Sequence, residues 1–152
     1  MSSGPHEQVR YKRARFSTRL PAGRLYTSGH FWMSEQEPNL WQVGMTKFAT
    51  RMLGEMVEHG FEVEPGKAVQ VGQVIGWVEG FKAASDLFCV VDGQFQRGNP
   101  NLDEKIRLLH TDPYGKGWLY EVRGTPEPNA VDVHGYVEVL DETIDRIRGK
   151  ED

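Results

Sequence analysis

Cysteine is almost missing from this chain: one thiol, Cys89, stands among 152 residues. An internal disulfide is therefore excluded, and a reducing, cytoplasmic setting fits. The five histidines (His6, His30, His59, His110 and His134) are scattered without ligand spacing, so no metal site is expected. Long apolar runs are missing too; nothing approaches the roughly 20 residues of a membrane span, and no membrane partner is expected. Catalytic signatures are equally scarce. No glycine-rich phosphate loop joins a strand to a helix, and neither His-Glu-x-x-His nor Gly-x-Ser-x-Gly occurs. The acid pairs Glu62/Glu64 and Asp141/Glu142 read as solvated faces. No catalytic residue is assigned, and an autonomous enzyme is not expected.

Charge is present but unevenly spread. Residues 1–24 hold Arg10, Lys12, Arg13, Arg15, Arg19 and Arg24 against the single acid Glu7, a local charge near +5. The remaining chain then carries about −9 of the net −4, which favours basic protein partners and argues against nucleic acid. With few apolar residues, 1–24 is expected to be a basic, flexible arm preceding one domain over 25–150. It lacks the apolar stretch of a secretory signal. A mitochondrial location after removal of this basic segment is the lesser alternative to the cytoplasm.

Beyond the arm the pattern is of short strands. Leu25-Tyr26-Thr27, Phe31-Trp32-Met33 and Leu40-Trp41-Gln42-Val43 are β-prone, with a polar loop over 35–39. Thr46 is placed to cap a short helix that Gly54 stops. Residues 55–63 are strand-like, Pro65-Gly66 is a turn, and two apolar runs follow, 69–78 and 87–91, the second closed by Asp92-Gly93. Cys89 falls in that second run as a buried structural thiol. Leu102, Ile106 and Leu109 share one helical face, Trp118 to Val122 alternates as a strand, and Tyr136 to Ile147 carries an apolar helical stripe. The expected fold is mainly β: a flattened antiparallel sandwich with short peripheral helices and a C-terminal helix.

Between the two apolar runs lies Val78-Glu79-Gly80-Phe81-Lys82-Ala83-Ala84-Ser85-Asp86-Leu87. Gly80 permits a sharp turn. Ala83, Ala84 and Ser85 leave room beside the Lys82 amine, and Glu79 and Asp86 bracket it with negative charge that a recognising enzyme can read. By chemistry alone, an ordinary surface lysine and a modified one both remain open.

The segment resembles the Glu-Ser-Val-Lys-Ala-Ala-Ser-Asp lipoylation site of the glycine cleavage system H protein family. Tyr26-Thr27-Ser28-Gly29-His30-Phe31-Trp32 is similar to that family's Tyr-Thr-x-x-His-Glu-Trp. Gly44-Met45-Thr46, Ala49 and Leu53-Gly54 keep the spacing of its Gly-Ile-Thr-x-x-Ala-x-x-x-Leu-Gly. Asp112-Pro113-Tyr114-Gly115-Lys116-Gly117-Trp118-Leu119 closely matches its Asp-Pro-Tyr-Gly-x-Gly-Trp-Leu. The resemblance spans roughly residues 25–148. It implies a lipoyl-domain-like barrel-sandwich hybrid that carries covalent lipoate on Lys82. Biotin carriers share the architecture but flank their lysine with methionine, which Phe81 and Ala83 do not match.

The implied role is a non-catalytic carrier of the aminomethyl intermediate of glycine. Implied partners are a lipoyl ligase or octanoyl/lipoyl transferase, a pyridoxal-phosphate glycine decarboxylase, an aminomethyltransferase and dihydrolipoyl dehydrogenase. His30 and Phe31 are expected at a cleft for the arm, and Glu79 and Asp86 at recognition or cargo contacts. Three departures stand out. Phe31 takes the place of the Glu that, with the acid matching Asp86, is associated in the family with holding a cationic nitrogen. Gly80-Phe81 replaces Ser-Val, and residues 58–66 make a longer turn. Phe31 supports an alternative: a lipoate-binding carrier of sulfur intermediates in bacterial sulfur oxidation, beside a heterodisulfide-reductase-like complex.

Overall fold

Period-two alternation, rather than charge, decides the first element. In the computed structural model, which describes residues 7–151, β1 (Gln8–Arg13) and β2 (Phe16–Pro21) form an antiparallel hairpin. Val9 faces Leu20 and Tyr11 faces Thr18 across it. Tyr11, Phe16 and Leu20 are buried on one face of the hairpin, with Arg13 at its edge paired to Asp141 and Asp145. The other face carries Arg10, Lys12 and Arg19. The expectation of a flexible arm over 1–24 is thus corrected for 8–21; its first six residues lie outside the described residues. Apolar side chains at alternate positions found a surface to cover, which composition alone did not register.

The body begins with β3 (Leu25–Tyr26), β4 (Phe31–Glu37) and β5 (Leu40–Met45), followed by α1 (Lys47–Leu53). Then come β6 (Met56–Phe61), β7 (Ala68–Val69), β8 (Val74–Gly80), β9 (Ala84–Phe88) and β10 (Val91–Gly98). Two single-turn helices, α2 (Asn101–Glu104) and α3 (Leu108–Thr111), precede β11 (Tyr120–Pro126) and the terminal α4 (Val133–Glu151). A six-stranded sheet runs β3-β4-β5-β11-β10-β7, and a three-stranded sheet runs β6-β8-β9. All pairings are antiparallel and neither sheet closes into a barrel. Mainly β architecture with a C-terminal helix is as expected.

The large sheet is covered on both faces. Met33, Val43, Phe95 and Val122 pack with Ile75, Val78 and Leu87 of the small sheet in one core. On β4 the next residue points the other way: Trp32 joins Tyr26, Phe16, Tyr136 and Leu140 in a second core beneath the hairpin and α4. Opposite Trp32 sits Gly44; a Cβ there would approach the indole to 2.5 Å. Trp32 Nε1 donates to the Pro113 carbonyl at 3.0 Å, which ties the 112–118 loop to the sheet.

Local expectations differ from the outcome in several places: β4 continues through Glu37 into the expected 35–39 loop, and β11 starts at Tyr120 rather than Trp118. Asp92-Gly93 does not turn; it lies inside β10, where Gly93 faces Gly124 of β11 and the paired glycines allow close approach of the strands. The helical face over 99–109 is broken at Lys105, whose φ of −137° leaves the helix, yet Leu102 and Leu109 are both buried as their spacing implies.

Candidate functional site

Lys82 occupies the apex of the β8–β9 hairpin. Glu79 pairs with Ala84, and the Gly80 N–H donates to the Ala83 carbonyl at 2.9 Å, closing the turn around Phe81-Lys82. The remaining apex amides are not left to water. Lys82 N–H and Ala83 N–H donate to the Leu53 carbonyl at 2.9 and 3.3 Å, and Phe81 N–H donates to the Glu55 carbonyl at 3.0 Å. The C-terminus of α1 thus uses its unpaired carbonyl to hold the turn.

Two glycines make that contact possible. Gly54 caps α1 at φ +83°, and a Cβ on it would come within 2.9 Å of Lys82 Cγ. A Cβ on Gly80 would collide with the Leu53 carbonyl. The lysine backbone is fixed while its side chain is exposed, as are Ala83, Ala84 and Ser85. Phe81 beside it is 77% exposed, an unusual place for a large apolar ring. By register, Glu79 and Asp86 lie on the same outer face of the hairpin, so the bracketing charge read from the sequence is one patch.

A cleft of about 380 Å³ opens beside β9. Its walls are largely apolar: Phe31 and Met45 from the large sheet, Phe48, Met52 and Leu53 from α1, and Leu87 and Phe88 from β9. Asp86 and Glu127 are the charged residues in its lining. Glu127 follows β11, where its N–H donates to the Val90 carbonyl at 2.9 Å; burial raises its carboxyl above the usual range. Cys89 also borders the cleft, buried, with Sγ donating to the Val91 carbonyl at 3.0 Å.

His30 stands at the same cleft with φ +71°. Its Nδ1 meets the Tyr136 hydroxyl at 2.8 Å, and that hydroxyl meets Thr46 Oγ1 at 2.8 Å. Thr46 in turn accepts from Ala49 N–H as the N-cap of α1. Burial lowers the imidazole to about 4, so it is neutral near pH 7. The ring packs on Phe48 with centroids 4.7 Å apart.

Of the residues singled out from sequence, Phe31, His30 and Asp86 meet at the cleft, while Lys82 and Glu79 lie on the hairpin beside it. Glu127 was not foreseen, because a loop residue in Pro126-Glu127-Pro128 carries no local sign of where the chain returns. Phe48 and Met52 did carry a signal, an i, i+4 spacing on α1, but it read equally well as ordinary core. Among the described residues, no cluster of three or more His, Cys, Asp or Glu is arranged to hold a metal, and no helix is long and apolar enough to cross a membrane.

Comparison with known proteins places this geometry. The family model described as "Glycine cleavage H-protein" matches residues 24–141. A glycine cleavage system H protein from Rubrobacter xylanophilus is 36% identical over 123 residues, spanning 81% of this chain and 96% of the relative. One from Shewanella frigidimarina is 32% identical over 126 residues, spanning 81% of this chain and 97% of the relative. The crystal structure of a glycine cleavage system H protein from Mycobacterium marinum superimposes with a TM-score of 0.70 at 31% identity, covering 78% of this chain and 97% of that one. A held hairpin lysine, the flanking cleft and a match across most of the sandwich agree: the chain belongs to the glycine cleavage H-protein family.

Proposed function

We propose that this protein is a non-catalytic carrier whose Lys82 bears a covalent lipoyl group and delivers the aminomethyl cargo of glycine cleavage between enzymes. One observation carries the reading: an exposed lysine, its backbone fastened to α1, stands next to an apolar cleft with carboxylates in its lining. The residues fit the group, since methionine, phenylalanine and leucine walls suit an aliphatic arm. Bound there, lipoate would supply a strained disulfide that opens to a dithiol.

The chain's own residues account for the rest. Leu53 and Glu55 carbonyls hold the root of the arm. Phe31, Met45 and Phe48 exclude water from the cleft. Asp86 and Glu127 offer charge to a cationic nitrogen, and Glu127 gives a carboxylate to a cleft in which Phe31 has none. Glu79 and Asp86 mark the face for the lipoylating enzyme, a ligase or transferase. Partners that act on the loaded arm are the glycine decarboxylase, the aminomethyltransferase and dihydrolipoyl dehydrogenase.

The test is intact-mass spectrometry after incubation with lipoate and a lipoyl ligase. A single lipoyl adduct mapped to Lys82, absent from Lys82→Ala, is expected. An unmodified chain alongside a modified authentic H protein would overturn the reading.

Phe31 favours a second reading, a sulfur-carrying arm serving a heterodisulfide-reductase-like complex. Its ring is 7% exposed within the core that borders the cleft and cannot accept a hydrogen bond from an ammonium. Glycine–bicarbonate exchange with lipoylated protein and glycine decarboxylase separates the two. Exchange that rises in Phe31→Glu supports the role given to that position; exchange lost on that substitution contradicts it.

A further inference from the structure

The segments flanking the family match fold back onto each other. Ala14, Arg15 and Phe16 precede it and Ile144, Ile147 and Arg148 follow it, yet together with one side of α1 they enclose a groove of about 610 Å³. Its floor is apolar: Phe16, Phe48 and Ile144 are buried there. Around it stand three arginines, Arg15, Arg51 and Arg148, all exposed, and no acid lines it. None of the three makes an ion pair among the described residues. Asp145, one turn from Arg148 on α4, is already held by Arg13 through two 2.8 Å hydrogen bonds. Arg51 lies over the Phe16 ring at 5.6 Å, which orients the guanidinium while leaving its donors unpaired.

The groove is continuous with the arm cleft, because Phe48 and Met52 line both. Met52, half in solvent at 49% exposure, forms the ridge between them. A protein that covers the cleft mouth at Met52 therefore stands at the edge of this groove.

We infer that the groove is a docking site for an acidic segment of a partner protein, one that seats an apolar side chain on Phe16 and Ile144 while its carboxylates meet Arg15, Arg51 and Arg148. Three cations around an apolar floor match that chemistry. A site built from the flanking segments lets this chain choose a partner without altering the cleft. The choice of a partner that acts on the arm rests on the carrier reading; the groove itself does not.

The test uses the full chain and a labelled peptide in which glutamates flank leucine and phenylalanine. Saturable binding is expected, with NMR shifts at Phe16, Ile144 and Ile147. Arg15→Glu/Arg51→Glu/Arg148→Glu weakens it tenfold or more, and the neutral triple Gln variant falls between. Arg10→Glu/Lys12→Glu/Arg19→Glu, on the outer face of the hairpin, leaves it unchanged, and peptides with serine for the apolar residues or glutamine for the glutamates bind poorly. Absent binding, shifts elsewhere, or equal loss from both reversal sets overturns the inference. A second readout is the KM of whichever partner enzyme turns over the lipoylated protein; it rises tenfold or more in the groove variant with kcat unchanged. Failure of Lys82 to be loaded leaves the peptide experiment intact, so the groove and the carrier reading fail separately.

Discussion

At the scale of single residues, His30 couples the cleft to pH. Burial holds its imidazole near 4 in the folded protein, against about 6.5 in an unfolded chain. Between those values the unfolded chain binds the extra proton, so stability falls as pH drops from about 6.5 to about 4, by a few kcal/mol at most. Tyr136, its hydrogen-bond partner, stays a neutral hydroxyl throughout. The thermal midpoint should decline over that window, and His30→Asn, which tolerates the left-handed backbone, should flatten the decline. An unchanged slope in the variant would place the sensitivity elsewhere. Lys82, Asp86, Phe31 and His30 were legible because each sits in a short motif whose order survives in one dimension. Glu127 was not, since its place in the cleft depends on β10 and β11 pairing in register.

At the scale of elements, the hairpin β1–β2 acts as a fastener. The Tyr11 hydroxyl donates to Asp141 of α4 at 2.8 Å, and Phe16 packs edge-on against Phe48 of α1 with centroids 5.4 Å apart. Tyr11→Phe is expected to cost about 1 kcal/mol, one hydrogen bond's worth, seen as a lower urea midpoint at constant slope. Removing residues 1–21 uncovers Phe48, Leu140 and Ile144 together and should lower the midpoint far more, with increased binding of a hydrophobic dye. A midpoint indifferent to that truncation would mean α4 holds its place unaided. The hairpin escaped notice because five cations between Arg10 and Arg19 outweighed the alternation of Val9 and Tyr11, then Phe16 and Leu20. Composition reported solvation for one face of a two-faced element. The 99–109 segment shows the converse: its apolar spacing correctly marked Leu102 and Leu109 as core, although the helix between them breaks.

For the whole molecule, the two-sided burial of the large sheet explains which parts of the fold were readable. Strands were visible where one residue in two was apolar and cations did not crowd the positions between, which is why β1 and β2 were the exception. Pairing order was not, because β7 reaches β10 and β5 reaches β11 across long stretches of sequence. Charge follows the same division. The net acidity lies outside residues 1–24 while the hairpin's outer face is cationic, so net charge alone does not mark a docking surface. Increasing salt should weaken peptide binding through the groove arginines rather than through that face.

The bonds from Lys82, Ala83 and Phe81 to Leu53 and Glu55 set the pace of solvent exchange at the tip. A hairpin apex normally trades its amide protons with water almost as fast as a free peptide, because nothing must open first. Here those protons exchange only when the end of α1 lets go, and α1 is itself anchored through Thr46 to Tyr136. Hydrogen–deuterium exchange should therefore find these three amides slowed together, and Gly54→Ala should release them together. The tip of the hairpin is then a still pivot, and a group attached to Lys82, as proposed above, would owe any sweep to its own bonds rather than to a swaying loop.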